Sequence, residues 1–104
     1  MTTEDDVRAL CLAHPRVSER TSWGRPAWFC RTLMARMWED EVLTLKTSER
    51  EALAGTDPDT FYWTDHHERS PQLVLVRLAG IGLDELTELV AESFELAEAR
   101  PGRR

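Results

Sequence analysis

Two groups of residues have types and spacings that could do chemistry. Asp65-His66-His67-Glu68 brings two imidazoles between two carboxylates, the raw material of a metal site or an acid–base pair. Trp23-Gly24-Arg25, with Arg31, Arg36 and Lys46 following, brings aromatic rings beside cations, the raw material of an anion- or nucleic-acid-binding surface. The first group is incomplete. Adjacent residues of an extended chain point to opposite sides, so one ion cannot readily take both histidines. His14 is remote in sequence, and no C-x-x-C or H-E-x-x-H spacing completes a ligand set. A loop histidine that hydrogen-bonds a neighbouring strand or meets a phosphate is the simpler reading.

Nucleophilic catalysis has no better support. Ser22 precedes Trp23-Gly24 but lacks the strand-to-helix elbow of a catalytic serine. Gly80 and Gly82 lead into an acidic helix start, which repels phosphate instead of cradling it. The sequence therefore reads as a binding protein, not an enzyme, with no cofactor and no metal.

The second group is where charge is organised. The net charge of −6 argues against a protein that coats nucleic acid by bulk electrostatics. Residues 16 to 36 nevertheless hold Arg16, Arg20, Arg25, Arg31 and Arg36 against the single acid Glu19. Residues 39 to 68 reverse this, with nine acids against Lys46 and Arg50. Most of the aromatics fall in strand-like runs and read as core. Trp23 is the exception, because it sits in a turn beside Arg25.

The elements that must position these groups follow from local signals. Thr3 reads as the N-cap of a helix, with Glu4, Asp5 and Asp6 in its first turn and Val7, Leu10 and Cys11 on its inner face; Pro15 ends it. Arg16 to Arg25 reads as a polar connection with at most a short extended piece at Val17. Pro26–Arg31 and Leu33–Trp38 read as two strands about Thr32, or as one long bent strand, because neither glycine nor asparagine marks a turn. Glu39-Asp40-Glu41 reads as a hairpin tip, followed by Val42–Lys46 with alternating character. Ser48 with Glu51 three residues on fits a capping box, opening a short helix that ends near Gly55. Asp57-Pro58-Asp59 is a turn, Phe61–Thr64 an aromatic strand, and Asp65–Gln72 a charged loop. Leu73–Leu78 is the expected central strand. The final helix carries Leu83, Leu86, Leu89, Val90, Phe94 and Ala97 on one face, with Glu85, Glu88, Glu92 and Glu95 towards water.

Short connections make the strands antiparallel, and helices gathered on one face give a two-layer α+β domain of order α-β(3)-α-β(2)-α. Its other face stays wet unless a partner covers it. A chain of 104 residues is expected to form one domain, over residues 1–99, with 100–104 a flexible basic tail. The acidic start is unlike a signal peptide, and no run is long and apolar enough to span a bilayer, so cytoplasm without membrane attachment is the expectation. Cys11 and Cys30 are then expected as reduced thiols.

Taken together, the Val7-Arg8-Ala9-Leu10-Cys11 helix, Glu19 through Phe29, Met34–Glu39 leading into Leu43-Thr44-Leu45-Lys46, Thr64-Asp65-His66 and Val74–Leu78 resemble the MmcQ/YjbR-like family of small bacterial domains. The resemblance covers nearly the whole chain. It implies the same α+β order and a DNA-binding role through wing-like hairpins. Two departures are visible: Thr32 and Leu33 replace a glycine and lysine common after the second strand, and Leu73 stands where a tryptophan is often found. On this basis the expected function is non-enzymatic binding of double-stranded DNA, with Trp23, Arg25, Arg31, Arg36, Lys46, His66 and Arg69 at the contact surface. The alternative is a protein-interaction or small anionic-ligand module. A monomer or weak homodimer is expected.

Overall fold

The first helix starts where Thr3 closes a reciprocal cap. Asp6 donates its amide to Thr3 Oγ1 at 3.3 Å, and the Asp6 carboxylate accepts from the Thr3 amide at 2.9 Å. From this cap runs α1 (Glu4–Leu12), which buries Val7 and Cys11. A computed structural model describes residues 1–99 of the chain. After α1 come β1 (Ser18–Ser22), β2 (Arg25–Phe29), β3 (Leu33–Glu39), β4 (Val42–Lys46), α2 (Arg50–Thr56), β5 (Phe61–Tyr62), β6 (Leu73–Arg77) and α3 (Leu83–Glu98). The basic segment 100–104 lies outside the described residues. No described helix is long and apolar enough to cross a membrane.

The six strands form one antiparallel sheet in the order β1-β2-β3-β4-β6-β5. The α+β class, the antiparallel sheet and the helices packed on it agree with the sequence. The strand count does not: there are four strands before α2 where three were expected. β1 is the addition, pairing with β2 from Ser18↔Phe29 to Ser22↔Arg25. Its Ser-Glu-Arg-Thr-Ser composition reads as loop because an edge strand buries little and needs few apolar residues. Cys30–Thr32 joins β2 to β3 as separate strands, closed by the Cys30 amide donating to the Thr32 carbonyl at 3.0 Å. β5 is shorter than the aromatic run Phe61–Thr64 suggested, because the chain turns at Asp65–His67 in a 3-10 turn.

Register assigns the two faces. Trp28, Ala35, Leu45 and Val74 pair successively across four strands and face the helices. With Met37, Leu43, Val76 and Phe61 they form the core against Val7, Cys11, Leu86, Leu89, Val90 and Ala97. Packing of α3 here is fastened by Ser93, whose hydroxyl donates to the Met34 carbonyl and accepts from the Lys46 amide at 2.9 Å. At the helix boundary, Gly80 leaves room for Thr60, since a Cβ there would collide with Thr60 Oγ1.

The second row is Ala27, Arg36, Thr44, Leu75 and Tyr62. It does not stay wet throughout. Thr44 and Leu75 are buried, and the segment after β5 brings the buried His67 ring within 4.6 Å of Trp38. Burial from both sides is why Val42, Leu43, Thr44 and Leu45 are all inaccessible and β4 does not alternate.

Two local readings of polar residues are corrected. Ser48 does not cap α2: the cap position is Glu49, without a side-chain bond. Instead the Ser48 amide (3.0 Å) and hydroxyl (2.8 Å) both donate to Glu92 Oε2, while the Thr47 hydroxyl donates to Oε1 at 2.8 Å. A carboxylate from α3 thus takes the partners a capping box would have used, and Glu92 does not simply face water. Leu83, expected on the inner face of α3, is exposed at the first helical position.

Candidate functional site

Three hairpin-derived segments converge at one end of the second face. The β1–β2 turn consists of Trp23 and Gly24, with φ of 57° and 80°. Positive φ at both central residues is the pattern of a type I′ hairpin turn, which favours Asn-Gly. A tryptophan in the first position adopts a backbone that bulky residues avoid. Its indole is 90% exposed, the most accessible of the tryptophans.

Arg25 follows on β2 and donates to the Asp40 carboxylate at 2.9 Å, across to the β3–β4 turn. Arg36 stands at the middle of β3, its guanidinium 5.5 Å from the centroid of the Trp38 ring. Arg36 Nε and Thr44 Oγ1, on paired residues of neighbouring strands, are buried and have no hydrogen-bond partner among the described residues. Trp38 also stacks on His66, with centroids 5.8 Å apart and rings 27° from parallel. Trp23, Arg25, Arg36, Met37, Trp38 and His66 line one open cavity of about 370 Å³.

The loop that carries His66 is held from beneath by Arg50. This residue is only 5% exposed, and its guanidinium donates to the carbonyls of His67, Ser70 and Leu73 at 3.0–3.1 Å and of Glu68 at 3.2 Å. It also lies 4.0 Å over the Trp63 ring, whose Nε1 donates to Glu68 at 2.8 Å. Inside the same loop, His67 Nδ1 and the Thr64 hydroxyl are 2.9 Å apart. Burial, with the nearby His66, Arg36 and Arg50, holds the His67 imidazole below its usual pKa of 6.5.

The seven residues expected from sequence divide into separate places. Trp23, Arg25, Arg36 and His66 meet. Arg31 lies in the exposed β2–β3 turn, where its amide donates to Glu98 at 3.0 Å beside the Arg16–Glu98 ion pair. Lys46 is at that same end of the sheet, with Nζ donating to Thr32 Oγ1 at 3.0 Å; burial lowers its pKa. Arg69 is exposed beyond the 3-10 turn and does not line the cavity. The cause of this division is register. Arg36 is at mid-strand and Arg25 is beside one set of turns, whereas Arg31 and Lys46 sit at the opposite strand ends. Three participants escaped the sequence reading: Trp38 reads as core, Asp40 as a turn residue, and Arg50 only as one of two cations in an acidic stretch.

Among the described residues, no group of three or more His, Cys, Asp or Glu side chains could hold a metal ion. Both cysteines are free; burial pushes the Cys11 thiol up to about 12, leaving it protonated and inert.

The family model YjbR matches residues 12–96. Among solved structures, the crystal structure of Deinococcus radiodurans protein DR2400, with the domain DUF419, superposes with a TM-score of 0.84. It is 22% identical, and the match covers 100% of this chain and 84% of that chain, a likeness of fold. No curated protein matches the sequence.

Proposed function

This chain belongs to the YjbR family, and from that premise we propose that it is a non-enzymatic nucleic-acid-binding protein acting through the Trp23–Arg25–Arg36–Trp38–His66 cavity. The observation that carries the reading is the convergence of three cationic or titratable side chains with two indoles, one of them almost fully exposed. Arginine offers a planar donor fork to phosphate, and indole faces offer stacking surface that any base can use. Arg36 adds a buried Nε donor with no partner among the described residues.

The arrangement supports a small footprint. Arg31 and Lys46 lie at the far end of the sheet, and Arg25 already has Asp40. Two or so phosphate contacts follow from Arg25 and Arg36, which corresponds to a salt slope of about −2. The same short footprint favours, as the second reading, a small anionic ligand with an aromatic part.

An anisotropy titration with labelled oligonucleotides at low salt tests the proposal. Binding that weakens with salt, and weakens further in Arg36→Gln, supports it. Absence of binding to single-stranded and duplex DNA alike overturns it.

A further inference from the structure

The geometry points to an unpaired, unstacked base as the group the cavity takes, so that the partner is a single-stranded segment and not a closed duplex. This rests on the nucleic-acid reading above and specifies which form of nucleic acid is recognised.

The first support is Trp23. A two-residue turn with positive φ at both positions is relieved by Asn-Gly, yet this chain keeps its largest side chain there, and that side chain is 90% exposed. Packing does not account for the indole, because it buries almost none of its surface. Contact with something outside the chain does. Trp38, which lines the same cavity, is stacked with His66 and meets His67 edge-on, so the second indole is fixed in orientation. The open cavity they line, about 370 Å³, lies in the range of small-molecule sites.

A duplex cannot use such a slot without opening. Its bases are stacked on both faces, and lifting one out costs stacking and pairing free energy that a single strand does not lose. A duplex would be held mainly by phosphate contacts, and these need cations distributed along the surface. Here Arg25 and Arg36 line the cavity, while Arg31 and Lys46 lie apart from it at the opposite strand ends. Stacking on Trp23 with a phosphate at each of Arg25 and Arg36 is the contact set these positions allow.

The test uses the full chain and four probes at low salt: a short fluorescein-labelled oligothymidylate, its duplex with oligoadenylate, an abasic strand of equal length, and thymidine monophosphate as competitor. The single strand should bind about tenfold or more tighter than the duplex or the abasic strand. Trp23→Asn, which suits the turn, should lose about tenfold for the single strand and nothing for the abasic strand, and Trp23→Phe should recover part of that loss. Circular dichroism verifies that both variants are folded. Equal affinity for duplex and single strand, or for abasic and intact strands, overturns base insertion but leaves the nucleic-acid reading standing. Thymidine monophosphate binding as tightly as the oligomer overturns the strand as partner. No binding by any probe overturns both.

Discussion

The Arg25 guanidinium and the Asp40 carboxylate meet at 2.9 Å, joining a cavity-lining residue beside the β1–β2 turn to the β3–β4 turn. Asp40 is 96% exposed, so the pair is screened and adds little to stability. Its consequence is competition: the carboxylate occupies the position from which an incoming phosphate oxygen would address Arg25. Asp40→Asn should therefore raise affinity for a single-stranded oligonucleotide by about three- to fivefold, with a stability change below about 1 kcal/mol. Titration and urea melts of the same preparation measure both.

Trp23 trades stability for exposure. Replacing it with asparagine removes a bulky residue from a positive-φ turn position and should stabilise the fold by about 0.5 kcal/mol. The same variant should bind less. A rise in melting temperature together with a loss of binding is the expected signature; a fall in melting temperature would show that the indole packs.

Arg50 organises the wall that holds His66. Arg50→Met removes the guanidinium from the carbonyls of His67, Glu68, Ser70 and Leu73, of which His67 and Ser70 keep the backbone amides of Ser70 and Leu73, and should cost about 2–3 kcal/mol. Hydrogen exchange should show the loss of protection concentrated between Asp65 and Leu73. Arg50→Lys should recover only part, since an ammonium lacks the planar fork and the stacking on Trp63.

Ser93 is fully buried between β3, β4 and α3 and serves as both donor and acceptor. Ser93→Ala strands the Met34 carbonyl and the Lys46 amide together, which should cost about 2–3 kcal/mol in chemical denaturation. Ser93→Thr keeps the hydroxyl and tests whether the additional methyl is accommodated.

Glu92 and His67 contribute to the acid limb of stability, alongside Glu19 and Glu98, whose carboxyls are held below their usual range by bonds from Arg8 and Arg16. Burial opposes ionisation of Glu92, but donors from Ser48 and Thr47 outweigh it and hold the carboxyl below its usual 4.5. A depressed carboxyl contributes stability that is complete above its unfolded value and is lost as pH falls through the folded one, so this contribution should fade below about pH 4.5. His67, also depressed, binds its proton more weakly folded than unfolded, and its contribution is complete above about 6.5 and declines as pH drops below that. Glu92→Gln should flatten the lower part of a stability–pH profile, and His67→Gln the part nearer neutrality.

Much of the fold could be read along the chain because its signals are local. Thr3 and Asp6 are three residues apart, the Glu39–Glu41 tip joins adjacent strands, and the inner faces of α1 and α3 recur at helical spacing. Trp23 was recognisable as an exposed turn residue for the same reason. β1 was not, because an edge strand is defined by the neighbour it pairs with and not by its own polarity.

The candidate site was only half legible. Sequence determined that arginines and aromatics cluster around the first strands and that a hairpin tip lies at Glu39–Glu41. Tertiary structure decided which of them meet: strand register separated Arg31 and Lys46 from Arg25 and Arg36, and Trp38 came to wall a cavity with His66, 28 residues further along. It also took Ser48 from its nearby Glu51 and gave it to Glu92, 44 residues away, and turned Arg50 inward to the carbonyls of a distant loop. Caps, turns and helix faces are set by neighbours a few bonds away, whereas the partner of a long charged side chain is whatever the packed sheet brings within about 3 Å of it.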